Sequence, residues 1–380
     1  MKVKTPLLAA ALALACAASQ AVTLRVANVG DVMSMDPHSL NETLQLSFTA
    51  SVYEPLVGRG KDMALAPLLA TKWTQTSANV WRFELRKGVK FHDGTPFTAD
   101  DVVFSFARAA DPGGDMRGYT ASFKTVRKID DHTVEIETTA PNPILPDVIS
   151  NVYMMSKTWS EANKADKPVD RRKGVENTAS FKANGTGPFR LKERQPGTRT
   201  VIVRNLNYWD KVETNVDEVV FTPIGSDATR VAALLSGEID VMEPVPLQDV
   251  ERVKSNPNMV VLQGPELRTI FLGMDQKRDE LLFSSVKGKN PFKDVRVRKA
   301  FYQAIDIEAI KTKVMRGAST PTALMVGPGV RGFQPDMNKR FPYDPEAAKK
   351  LLAEAGYPNG FEVTMNCPND RYVNDSAICQ

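Results

Sequence analysis

Between Trp81 and Phe106 the apolar positions change period. Trp81, Phe83 and Leu85 alternate with Arg82, Glu84 and Arg86, the two-residue repeat of a strand with one buried face. Asp93-Gly94 and Pro96 then supply turn chemistry. Thr98 with Asp101 three residues on is an acidic form of the capping box, and Val102, Val103 and Phe106 give the helix that follows an apolar face. The alternation recurs strictly in Thr133-Val134-Glu135-Ile136-Glu137-Thr138, before the loop Pro141-Asn142-Pro143. Further strands are predicted at 24–27, 200–204, 218–222 and 361–365, with a turn at Met35-Asp36-Pro37-His38. Helices are announced by their caps. Ser226 opens one that Gly237 closes, Asp294 opens another, Asp306 a third ending at Gly317, and Asp344-Pro345 a fourth that stops at Gly356. Asn374 or Asp375 caps a last helix. Strands and helices alternate without a strict βαβ rhythm, so the class is mixed α/β.

The first residues stand apart from this pattern. Lys2 and Lys4 precede an apolar run from Leu7 to Ala15, and Ser19-Gln20-Ala21 offers small residues for cleavage, so residues 1–21 read as a secretory signal peptide. The run is shorter than the roughly 20 residues that span a bilayer. The mature chain is therefore expected to be soluble outside the cytoplasm, in the periplasm. Lipid attachment at Cys16 is the alternative, against which Ala13-Leu14-Ala15 matches the usual lipobox poorly. Of three cysteines, Cys367 and Cys379 remain after the signal, a disulfide candidate in an oxidising compartment or else two free thiols.

Charge excludes one class of partner. Lys and Arg number 49 against 45 Asp and Glu, and the signal takes away two lysines, which leaves a net charge of +2. The signs are interspersed with no long basic block, so nucleic-acid binding is not expected. The length suits two lobes, each with its own core.

Motifs for covalent chemistry are sparse. Gly327-Pro328-Gly329-Val330-Arg331-Gly332 spells G-x-G-x-x-G, but Pro328 and Pro335 argue for a loop where dinucleotide binding needs a helix start. The sequence has no phosphate-binding P-loop, no G-x-S-x-G, and only His38, His92 and His132, without metal-ligand spacing. No catalytic residue, metal or cofactor is assigned. A secreted hydrolase or other enzyme is the alternative class.

The run from Trp81 to Phe106 resembles the extracellular solute-binding proteins of family 5, the peptide-type receptors of bacterial ABC importers. Four further blocks extend the likeness in order along the chain. They are Asn184-Gly185-Thr186-Gly187-Pro188-Phe189-Arg190 with Asn207-Tyr208-Trp209, Leu235-Ser236-Gly237-Glu238-Ile239-Asp240, the run from Pro291 to Ala300, and the run from Tyr343 to Pro358. The resemblance implies a two-lobe periplasmic binding protein of type II, cluster C-like, with an extra subdomain. Lobe I would take 22–50 and 155–272, the added subdomain 51–154, and lobe II 273–380.

The second lobe would be incomplete at Gln380, so a non-functional fragment of the receptor is a further alternative. The implied function is capture of a peptide-like solute by a monomeric receptor. Hinge closure would enclose it and present it to an ABC permease, with ATP hydrolysis left to separate subunits. Asn41, Thr43 and Tyr119 fall where oligopeptide-binding relatives place ligand contacts, with plain loop surface as the alternative. Arg268 stands where those relatives carry a cysteine. It offers either a cation to a ligand carboxylate or an ordinary surface charge. The acid that holds a peptide's amino group in such relatives would lie beyond Gln380.

Overall fold

The computed structural model describes residues 21–264, 266–328, 330, 332–369 and 371–380. The signal-peptide expectation, with Cys16, lies outside the described residues except for Ala21. The chain divides into two compact units between Glu243 and Pro244, ahead of the Gly273 at which the sequence reading begins its second lobe. The last sheet strand of the first unit ends at that break.

The first unit is built from β1 (Thr23–Asn28), β2 (Val57–Arg59), β3 (Leu65–Pro67), β4 (Ala70–Ser77), β5 (Val80–Leu85), β6 (Phe123–Asp130), β7 (Thr133–Thr138), β8 (Phe189–Gln195), β9 (Arg199–Arg204), β10 (Glu218–Pro223) and β11 (Val241–Glu243). A five-stranded sheet runs β11-β1-β10-β9-β8, with β1 parallel to both β10 and β11 and the remaining pairs antiparallel. Its strands come from both flanks of the 57–138 stretch. That stretch forms a four-stranded antiparallel sheet, β4-β5-β7-β6.

Alternation decides which face of the second sheet is inside. Phe83, Leu85, Val134 and Ile136 point inward and are buried with Val102, Phe106 and Ala109 of the helix Ala99–Ala109. Each of the larger of these side chains contributes about 1.5–3 kcal/mol by leaving water. The Asp101 carboxylate accepts the Thr98 backbone N–H at 2.9 Å at the start of that helix and the Lys157 N–H at 2.9 Å beyond it. On the opposite face Glu135 is buried between Arg82 and Arg127, so a polar position is covered by salt bridges and not by apolar packing.

Two glycines join the subdomain to the larger sheet. A Cβ on Gly185 would sit 2.0 Å from the Val52 carbonyl oxygen, and one on Gly187 2.7 Å from the same group. Their bareness lets His92 reach across. Its ring Nε2 donates to the Gly187 carbonyl at 3.0 Å, while Nδ1 accepts the Gly185 N–H at 3.3 Å. Beside them the buried Glu54 carboxylate accepts from Thr186 Oγ1 at 2.7 Å, Tyr208 OH at 2.6 Å and Trp209 Nε1 at 2.9 Å.

The second unit gathers Leu281, Phe292 and Val297 into a small core with Phe301, Leu352, Tyr357 and Phe361. Its helices include Val295–Ala304, capped by Asp294, and Pro345–Glu354, capped by Asp344. The strand expected at 361–365 is corrected to a single bridge, Val363 to Ser284. Phe361 is drawn into an aromatic cluster with Phe292, Phe301 and Tyr357, at centroid distances of 6.2, 6.0 and 5.0 Å, and the neighbouring backbone bonds to Phe283 and Ser285. Cys367 and Cys379 are joined by a disulfide, and Asp375–Cys379 is helical. In the glycine-rich run, Gly329 and Arg331 lie outside the described residues, and a single 3₁₀ turn at Pro335–Met337 follows. No described helix is long and apolar enough to cross a membrane.

The glycine joint makes a direct prediction. Gly185→Ala must push the Val52 backbone aside and should cost about 3 kcal/mol in urea unfolding, the upper end of overpacking effects. Gly118→Ala, whose Cβ would meet nothing within 4 Å, should be close to neutral in the same measurement.

Candidate ligand-binding site

The loop after β1 is buried for most of its length although it has no regular structure. Ser34, Met35, Asp36, His38 and Ser39 are all at most 2% exposed. Val32 and Met35 pack in an apolar cluster, and beyond them the anchors are polar. Asp36 Oδ1 and Oδ2 accept from the two terminal nitrogens of Arg108 at 2.7 and 2.6 Å, and both side chains are fully buried. Arg108 Nε donates to the Ala165 carbonyl at 2.9 Å, and one terminal nitrogen also reaches the Lys167 carbonyl at 3.1 Å. The fork of the guanidinium therefore ties three chain segments to one point.

The loop then locks itself. Asp36 Oδ1 also accepts the His38 backbone N–H at 3.0 Å, and the His38 ring donates from Nε2 to the Tyr153 carbonyl at 2.8 Å. The His38 carbonyl accepts the Asp115 N–H at 3.2 Å, and a Cβ on Gly114 would stand 2.4 Å from that oxygen. Gly114 and Asp115 thus lie directly on the loop.

This arrangement brings together two of the residues singled out in the sequence. Tyr119, on the short helix Arg117–Thr120, donates its hydroxyl to Asn41 Oδ1 at 3.4 Å. Thr43 is the first residue of the helix Thr43–Thr49, where the Glu42 side chain accepts the Gln45 N–H as cap. Asn41 and Thr43 are exposed where the anchored loop runs into its helix, and the half-buried Tyr119 meets Asn41 from the helix Arg117–Thr120. Arg268 belongs to the second unit. It pairs with Glu266 at 2.8 Å, donates to the Arg371 carbonyl at 3.4 Å and lies 5.8 Å from the Tyr372 ring centre, on the loop that the disulfide closes. Among the described residues no cluster of three or more His, Cys, Asp or Glu is arranged to hold a metal ion.

Burial alone would raise the Asp36 carboxyl. The Arg108 charge and hydrogen bonds, with His38, outweigh it and leave Asp36 below its usual range. Burial, then the Arg108 charge, lowers His38 from 6.5 to about 4, and burial likewise brings His92 to about 4. Both imidazoles are therefore neutral, with the proton on Nε2.

Family resemblance singled out Asn41, Thr43 and Tyr119, and the pair that anchors the loop beside them was missed. Asp36-Pro37-His38 looked like a turn. Arg108 sits on the stripe formed by Val102, Ser105, Phe106 and Ala109, and an arginine on a buried stripe is the one signal that pointed to a partner.

The profile of the bacterial extracellular solute-binding proteins, family 5 Middle, matches residues 64–380. The chain belongs to this family. Among the curated relatives of this family 5 protein, the glutathione-binding protein GsiB of Escherichia coli K12 is 28% identical over 363 residues, covering 94% of this chain and 66% of the relative. The chain thus spans about two thirds of the length of the GsiB proteins it matches.

Among solved structures it is similar to the ABC transporter-associated periplasmic binding protein DppA of Helicobacter pylori in complex with the peptide STSA. The TM-score is 0.77 and the identity 26%, over 89% of this chain and 67% of that one. It is also similar to the periplasmic binding protein AgaA of A. tumefaciens R10 in complex with agropinic acid, with TM-score 0.75, identity 25% and coverages of 89% and 65%. The mixed α/β fold is that of the periplasmic binding proteins.

The two neutral histidines set a pH dependence. Between about pH 6.5 and 4 these two histidines bind more protons in the unfolded chain than in the folded one, so the stability they contribute is complete above about 6.5 and is lost as the pH falls towards 4. Each histidine should account for roughly 2 kcal/mol of the loss. Urea midpoints at pH 7 and 4.5 should differ accordingly, and His92→Gln should flatten the slope. A midpoint that does not move over this range would contradict the assignment of neutral, buried imidazoles.

Proposed function

We propose that the protein is the substrate-binding component of an ABC importer, a monomeric receptor of the periplasm. It captures a peptide-like solute by hinge closure and delivers it to the permease, with no covalent chemistry. The family match over 64–380 carries this reading. It is supported by the likeness to DppA, whose structure holds a peptide, and to the glutathione-binding GsiB proteins. Ligand favours the closed population by making contacts there that the open form lacks.

We assign lobe I to 22–50 and 155–272 around a 51–154 subdomain, and lobe II to the residues from 273. The support is that β1 and β8 to β11, from both flanks of the subdomain, share one sheet. Asn41 and Thr43 are the proposed polar contacts of lobe I and Tyr119 that of the added subdomain, because Asn41 and Thr43 stand exposed just beyond an anchored loop and the Tyr119 hydroxyl reaches Asn41. Arg268 is proposed to meet a ligand carboxylate, its planar fork oriented by Glu266 and the Arg371 carbonyl.

Calorimetric titration of the native protein with reduced glutathione and with short peptides tests this. The expected result is binding at micromolar concentration or tighter, with the ligand recovered intact. Tyr119→Ala should weaken binding at least fivefold at unchanged melting temperature, and Arg268→Ala should weaken acidic ligands more than neutral ones. Hydrolysis of the bound peptide would establish an enzyme instead, and no binding by either class of ligand would refute the peptide-receptor reading.

A further inference from the structure

We propose that Asp36 and Arg108 are positioning residues for ligand binding, a role that rests on the peptide-receptor reading above. They bond to each other, to the His38 N–H and to the Ala165 and Lys167 carbonyls. The pair thereby fixes the backbone on which Asn41 and Thr43 stand, and it does so from the subdomain helix whose continuation carries Tyr119. The path is continuous and short. Arg108 holds Asp36, and Asp36 Oδ1 holds the His38 N–H at 3.0 Å. The His38 carbonyl holds Asp115 at 3.2 Å, with Gly114 pressed against it, and Tyr119 follows four residues later to meet Asn41.

Val32 and Met35 anchor the start of the loop in an apolar cluster, whereas Asp36, His38 and Ser39 beyond them are polar and buried, so the stretch that leads to Asn41 is held by the polar link. Ser39 Oγ accepts the Val169 N–H at 3.3 Å, which adds a third strut from the segment that Arg108 also binds. A binding loop fixed before the ligand arrives does not have to be ordered by it, and the saving appears as affinity. The pair therefore sets how tightly the site binds while remaining out of reach of the ligand.

Arg108→Lys tests this because a buried lysine keeps the charge yet cannot form the two parallel bonds to Asp36 together with those to Ala165 and Lys167. Gly114→Ala tests it independently, since it leaves the charge pair intact and displaces the His38 carbonyl. Each variant of the full chain is titrated with reduced glutathione and with the peptide STSA, and amide hydrogen exchange is followed in the ligand-free state. The expected result is an affinity at least tenfold weaker in both variants. Exchange should accelerate in residues 34–43 and 111–120 while β9 and β10 stay protected.

Affinity within twofold of the unaltered protein in either folded variant overturns the proposal, as does exchange that rises equally throughout the first unit, the mark of a merely structural pair. If Arg108→Lys does not fold, Gly114→Ala and Asp36→Asn decide by the same criteria. If the unaltered protein binds neither probe, the receptor reading fails and this inference with it. Binding by the unaltered protein with unaltered affinity in the variants removes this inference alone.

Discussion

The first unit depends on one buried ion pair. Asp36 and Arg108 are fully enclosed, and removing two charges from water costs several kcal/mol per ion before their attraction is counted. The geometry offsets that cost because all three nitrogens of the guanidinium donate, two bonds going to the carboxylate and two to the Ala165 and Lys167 carbonyls. An interior of this kind tolerates no partial solution, since either partner left alone would be an uncompensated buried charge. The loop after β1, the helix Ala99–Ala109 and the 165–167 segment must therefore meet in one arrangement. The contacts proposed for the ligand inherit their positions from it.

A second joint lies around Glu54 and His92, and it explains why two family blocks read as they do. The glycines of Asn184-Gly185-Thr186-Gly187 are required by the passage of the Val52 backbone, and Tyr208 and Trp209 are the donors that a buried carboxylate needs. Arg86 lies over the Trp209 ring at 4.1 Å and links the same joint to β5. Burial pushes the Glu54 carboxyl above its usual range, against the lowering effect of its three hydrogen bonds. These blocks are thus matched to each other, and their residues hold the subdomain on the larger sheet.

Much of the local structure was legible in the sequence. Alternation placed β5 and β7, and caps placed the helices starting after Thr98, Ser226, Asp294 and Asp344, because those signals are carried by neighbours within a few residues. The strand expected at 361–365 was misread because its apolar residues serve an aromatic cluster and not a sheet face. Asp36 and Arg108 are 72 residues apart and Asn41 and Tyr119 are 78 apart, distances over which no periodicity speaks. Asn41, Thr43 and Tyr119 entered through family resemblance, and the structure adds what resemblance could not supply, the polar path that joins their supports.

The central claim is that this family 5 protein carries a peptide-like solute and returns it unchanged. Native mass spectrometry of the protein isolated from its cells, followed by denaturation and identification of what is released, addresses it most directly. The account predicts a mass increment of one small solute per chain and the release of an intact peptide or peptide derivative. Recovery of cleaved products, or of a ligand without amide or carboxylate groups, would contradict it.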